Sequence, residues 1–252
     1  MSLVAADDGG VSEILARSPR WVAFWSLLAI PLYTSVAIGL AALISPDVKE
    51  VMTNPTPDTS QLYWLIFVTA QTGVLIHLIW WCESKGIGPI AGPVRIPAGW
   101  APAIMLAPVL FLSIQLGLTE LIAQGNENWQ FGEDGPPETL KASAVGISFA
   151  IAVVLLAPLF EEITMRGVAM GFMLGRGVSP WIAILISSAV FTAFHQQYTW
   201  LALVPIFVMG CYFGWLRVKT GTVMVPLLAH FLSNGFVMLI QVLSIRAGVP
   251  AG

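Results

Sequence analysis

Apolar residues in this chain fall in long runs broken by short polar stretches, without the alternating stripe of a half-buried soluble helix. A helix that crosses a bilayer needs about 20 mostly apolar residues. Seven segments reach or approach that length: 21–44, 62–82, 100–123, 147–174, 181–198, 200–217 and 222–245. The pattern predicts an all-α, polytopic transmembrane helix bundle of about seven spans, with eight as the alternative count. The first run is longer than a signal-peptide core and lacks a convincing cleavage site, so it is read as a retained span.

The stretch 124–139, rich in Gly, Asn, Glu and Pro, reads as an exposed loop able to gate entry. Ser179-Pro180 supplies an N-cap with proline at the first helical position, after the Gly175-Arg176-Gly177 break. Thr220-Gly221 separates the last two spans. Gly167, Gly171 and Gly175 line one helix face, as do Gly210 and Gly214. Small residues four apart let helices approach closely, here within one bundle in preference to a dimer. The oligomeric state is otherwise open.

Composition sharpens the picture. Of 252 residues, 57% are hydrophobic and 10% charged, with a mean hydropathy of +0.82. A soluble domain carries roughly 25% charged residues. A disordered chain, a disulfide scaffold and a separate soluble domain are excluded. A net charge of −3 offers no basic footprint for nucleic acid. The two cysteines, Cys82 and Cys211, are read as small buried hydrophobes.

The Lys and Arg residues of the short loops set the orientation. With the N-terminus inside, Arg17, Arg20, Lys85, Arg95, Arg176, Arg217 and Lys219 fall inside, against Lys49, Lys141 and Arg246 outside. The expectation is N-in and C-out, in the plasma membrane of a bacterium. All but three charges are assigned to tails and loops. Glu161, Glu162 and Arg166 remain within a span.

Ionisable groups inside a bilayer are costly and face a cavity or a partner. Four places stand out: Glu161-Glu162 with Arg166, His195, His230 with Asn234, and His77. At roughly 1.5 Å per residue, Glu161 lies about 22 Å from Arg176, His195 about 21 Å from Trp181, and His230 and Asn234 about 12 and 18 Å from Thr222. Three helices therefore bring polar groups to similar depths, which predicts one site. Glu162 and Arg166 are four apart and can pair along one face, whereas Glu161 points about 100° away and stays free. Phe191 sits one turn before His195 and can wall the site. Pro158 removes a backbone hydrogen bond beside the acidic pair and should kink the helix.

A Glu beside a His can hold and deprotonate water, and a second His with an Asn amide can donate to a developing oxyanion. These are the parts for amide hydrolysis without a covalent intermediate. His77, near Gln71, belongs to no such motif and is given a structural role. Trp80-Trp81 reads as an interface belt.

Three motifs carry a resemblance. They are Glu161-Glu162-Ile163-Thr164-Met165-Arg166, then Phe191-Thr192-Ala193-Phe194-His195, then His230-Phe231-Leu232-Ser233-Asn234. In order and on separate spans, they resemble the CPBP family of intramembrane proteases: CAAX proteases, or type II CAAX prenyl endopeptidases, and bacteriocin-processing enzymes. The resemblance covers about residues 145–240. It implies that Glu161 and His195 activate water, that His230 and Asn234 stabilise the oxyanion, and that Glu162, Arg166 and Phe191 support them. It also implies no required cofactor and a membrane-protein or peptide substrate, lipidated or not. Family members are often described with eight spans. The chain then divides into a cytoplasmic tail (1–20), the first helices and outer loop (21–144), and a catalytic bundle (145–245).

Two other readings stay open. Glu161, His195 and His230 could ligate zinc, although no H-E-x-x-H pattern is present. Intramembrane Glu and His also serve proton relays, so a proton-coupled transporter or a non-catalytic bacteriocin-immunity scaffold fits the same residues.

Overall fold

The computed structural model describes residues 3–19, 93–123, 150–195 and 201–246, with scattered positions between 36 and 84. The regular elements among the described residues are all helices. They are α1 (Val11–Arg17), α2 (Ala101–Ala123), α3 (residues 151–175), α4 (Pro180–Ala193), α5 (Leu203–Thr220) and α6 (Met224–Arg246). The described positions within 36–43 and 69–84 are also helical. Most of the first two expected spans and the whole of the 124–139 loop lie outside the described residues.

Among the described residues, two helices are long and apolar enough to cross a membrane, through Ala101–Leu118 and Met224–Leu243. α4 is apolar but has only 14 residues, about 21 Å of rise. The expected span 181–198 thus stops early, at Ala193, because the backbone turns there: Phe194 N–H reaches back to Phe191 O and His195 N–H to Thr192 O.

Local chemistry sets the other boundaries. Ser179 caps α4 by accepting Ile182 N–H at 3.4 Å, with Pro180 at the first helical position. α5 ends at Gly221 with φ of +69°. There a side chain would be strained and would also collide with the Asp7 carbonyl. Thr222 Oγ1 accepts Met224 N–H at 3.1 Å and opens α6.

α3 departs from a regular α-helix. Its pieces are a π stretch (Ile151–Leu156), an α turn (Ala157–Glu162), a second π stretch (Ile163–Ala169) and a final α turn (Met170–Gly175). Wider π turns are uncommon and concentrate at functional sites. Here they flank the acidic pair on both sides.

α4 and α5 pack closely because Gly210 and Gly214 leave room for Ser188 and Ile184. α5 meets α2 and α6 through a core of Ile104, Ala107, Met209, Phe213, Leu216, Val225 and Ala229, and Tyr212 Oη donates to Ala103 O at 2.6 Å. α1 lies against the end of α3. Gly171 and Gly175 face Leu15 and Ser12 there, and a Cβ on Gly175 would run into the Ser12 carbonyl. The glycine stripe of α3 therefore receives the N-terminal segment, and that of α5 receives α4.

One end of the bundle gathers the N-terminal segment, the turn after α3, the start of α6 and residue 93. Ala6 N–H donates to Val218 O at 2.8 Å, Arg176 to the carbonyls of Leu15 and Ser18, and Thr222 Oγ1 to Pro93 O at 2.7 Å. Arg176 and Arg217, which the charge pattern puts on one side, lie at this common end. Arg217 is no loop charge, however. It is 1% exposed and paired with a buried Asp8 at 2.8 Å, so two charges first given to tail and loop belong to the interior.

Candidate active site

Four helices build the site. α3 contributes Glu161, Glu162 and Arg166; α4 contributes Phe191 and the turn beyond it His195; α5 contributes Phe213 and the Gly210 carbonyl; α6 contributes His230 and Asn234. Each motif on its own fixes only one helix face. Cross-helix contacts bring them together.

Glu162 Oε1 lies 3.2 Å from Arg166 Nη1, and neither side chain is exposed to solvent. The expected i,i+4 pair is present. A lone buried charge would be expensive, and pairing reduces that cost. Arg166 Nη2 also donates to Gly210 O at 3.0 Å. Its guanidinium sits 4.8 Å from the Phe191 ring centre and 5.7 Å from that of Phe213, where the ring faces attract a cation. Glu162 Oε2 and Arg166 Nε have no hydrogen-bond partner among the described residues.

His230 stands between the two carboxylates. Its Nδ1 lies 3.0 Å from Glu162 Oε1 and its Nε2 lies 3.7 Å from Glu161 Oε2. A carboxylate already paired with Arg166 acts as acceptor, so Nδ1 donates and Nε2 is left to face Glu161. Phe213 stacks on the imidazole with centroids 4.7 Å apart and 25° between planes. Phe191 meets it edge-on at 5.9 Å. Glu161 is thus not isolated, as its offset from Glu162 suggested, because a partner arrives from α6. It keeps 20% side-chain exposure where Glu162 has none. Of the two carboxylates it is the one within reach of solvent or a bound peptide.

His195 lies in the turn beyond α4 instead of on the helix. Its Nδ1 is 2.8 Å from Phe191 O. A carbonyl only accepts, so Nδ1 carries the hydrogen. The Phe191 and His195 rings are 4.6 Å apart. Phe191 therefore touches His195, His230 and Arg166 together, the wall expected from its position one turn before His195.

Asn234 has a more particular partner. Its Nδ2 donates to Val153 O at 2.8 Å. The first π stretch runs up to Ala157 N–H bonding Ala152 O, so its next rung would join residue 158 to Val153. Pro158 has no N–H. The proline leaves the Val153 carbonyl open within this ladder, and the Asn234 amide fills it.

Among the described residues, no group of three His, Cys, Asp or Glu side chains converges as metal ligands. Glu161 and His230 approach each other, but His195 does not complete a set with them. His77 packs edge-on against Trp80 at 5.8 Å. Sequence reasoning missed Phe213, Gly210, Arg217 and Asp8. Gly210 was visible only as a small residue, and Phe213 was one of 13 phenylalanines.

This arrangement can be set beside known proteins. Residues 142–236 match the family model described as Rce1-like, type II CAAX prenyl endopeptidase. The matched stretch contains all three motifs, α3, α4 and α5, and the part of α6 that carries His230 and Asn234. The membrane-embedded CAAX protease MroQ of Staphylococcus aureus (strain USA300) is 27% identical over 188 residues, 73% of this chain and 74% of MroQ. The YdiL protein of Bacillus subtilis (strain 168) is 32% identical over 92 residues, 36% of each chain. No solved structure matches. The Rce1-like match, the membrane-embedded relative MroQ and the apolar helices point to a membrane protein, and the relatives named here are bacterial.

Proposed function

We propose that the chain is a multi-pass intramembrane endopeptidase of a bacterial plasma membrane that cleaves a membrane-associated peptide or protein by activated water. Glu161 takes a proton from water as the oxygen adds to the scissile carbonyl. His195, with Nδ1 fixed on Phe191 O, shares in that activation and passes the proton on to the leaving amine. The second amide hydrogen of Asn234, with His230 beside it, serves the developing oxyanion. Glu162 and Arg166 hold His230 in register.

One observation carries most of the weight. A single imidazole faces both carboxylates, at 3.0 and 3.7 Å, while one carboxylate is neutralised by Arg166 and the other is not. Two acids of the same type thereby acquire different roles, one structural and one left to exchange protons. Similarity to the CAAX protease MroQ supports peptide hydrolysis as the reaction.

The test compares membrane proteomes of cells carrying the wild type and Glu161→Gln at equal protein level. Peptides cut only by the wild type are expected, and they would also reveal the substrate. Identical peptide sets would overturn the proposal and favour a transport or immunity role. A parallel arm measures the wild-type cleavage after strong chelation. Persistence supports metal-free water activation; its loss, restored by zinc, would move Glu161 and the histidines to ligand roles.

A further inference from the structure

We infer that Arg217 is a positioning residue for the helix carrying Glu161 and Glu162, and that Asp8 of the N-terminal segment holds it in that role. For catalysis the inference rests on the peptidase reading; for the shape of α3 it stands alone.

At the end of the second π stretch Met170 N–H is shared between Gly167 O and Met165 O, the latter five residues back, and the α pattern resumes with Met170–Gly175. When a helix returns from five-residue to four-residue rungs, the ladder passes over one carbonyl, and the next after Met165 is that of Arg166. Arg217 Nε–H donates to this carbonyl at 3.2 Å from the neighbouring helix. A buried carbonyl left without a donor would press the segment toward another winding. Arg217 removes that pressure at the residue whose side chain pairs with Glu162.

Arg217 is itself fixed. Its Nη2 bonds Asp8 Oδ2 at 2.8 Å in a buried pair. Asp8 in turn accepts from Ser12 N–H at 3.1 Å and from Ser12 Oγ–H, which ties it to the first turn of α1. Arg176 holds the other end of α1 through the carbonyls of Leu15 and Ser18. Gly175 and Gly221 have no Cβ where the Ser12 and Asp7 carbonyls pass. The N-terminal segment is therefore seated by contacts at both of its ends. A guanidinium can hold the Arg166 carbonyl and the Asp8 carboxylate together from two edges of one plane, whereas a lysine ammonium cannot match that fork.

The test uses the full chain in nanodiscs, with Arg217→Lys and Asp8→Asn. Hydrogen exchange is followed over residues 163–171, with 101–118 as reference. Both variants should quicken exchange at 163–171 by about tenfold while the reference holds. Cleavage of the peptides that separate wild type from Glu161→Gln should fall about ten- to a hundredfold at equal protein level, with partial recovery in Asp8→Glu. Asp8→Asn conserves volume and keeps the test decisive if Arg217→Lys fails to fold. Unchanged exchange at 163–171, or an equal rise in the reference, overturns the inference. Faster exchange with undiminished cleavage overturns the positioning role. If Glu161→Gln alters no peptide, the peptidase reading falls while exchange still decides whether Arg217 shapes α3.

Discussion

At the scale of single residues, the site depends on which buried group answers which. Arg166 neutralises Glu162, so Arg166→Met should leave the Glu162 charge with only the His230 hydrogen bond and cost about 3–5 kcal/mol, read as a lower unfolding temperature in detergent. Glu162→Gln combined with Arg166→Met should recover part of that loss. A double variant no more stable than Arg166→Met would show that the pairing is not what Arg166 supplies. Asn234→Ala removes the donor to Val153 O and should cost about 1–3 kcal/mol. Pro158→Ala returns an N–H for the same carbonyl, so Asn234→Ala should cost less in that background. Equal cost in both would refute the link between proline and amide. Glu161, Glu162, Arg166, His195, His230 and Asn234 were legible in the sequence because ionisable and amide groups are conspicuous in apolar runs. Their pairings across helices were not. Spacing along one helix gives a face, never the neighbour opposite.

At the scale of elements, ends were easier to foresee than interiors. Ser179-Pro180 and Thr220-Gly221 act on their own backbone, so capping chemistry located both breaks without tertiary information. The π stretches of α3 need donors from α5 and α6 and have no signature of their own beyond Pro158. α4 misled for a related reason. Its apolar run continues past Ala193, yet the backbone turns, and His195 Nδ1 bonds back to Phe191. The glycine faces yield a prediction at this scale. Gly175→Ala places a methyl group against the Ser12 carbonyl and should release α1, giving rapid proteolysis before residue 18 while 101–118 stays protected from exchange. Retention of wild-type protease resistance would mean that this close approach does not hold the segment.

At the scale of the whole molecule, the N-terminal segment is part of the bundle and not a free tail. Burial raises the Asp8 carboxyl, but hydrogen bonds from Ser12 and Arg217 outweigh it, and the group sits below its ordinary 3.8. A depressed carboxyl contributes its stability in full above that ordinary value and loses it as pH falls through the lowered one. Exchange over residues 3–19 should therefore stay slow at neutral pH and quicken only below about 3.8. Asp8→Asn should already be fast at neutral pH, with no step on acidification. A step that survives in Asp8→Asn would assign the acid transition to another group. Composition could not show this, because counting charges by position treats Asp8 and Arg217 as solvent-facing ends.

The contact between Asp8 and Arg217 joins positions 209 apart in the chain. Synthesis runs from the N-terminus, so the segment made first finds its seat only after α5 has been inserted. Ribosome-bound chains arrested before residue 217 should expose residues 3–19 to protease, and chains extended well past residue 246 should shield them. Shielding in the shorter chains would contradict this order. On this account the seat of residues 3–19, and with it the backing of α3, is complete only once α5 is in place.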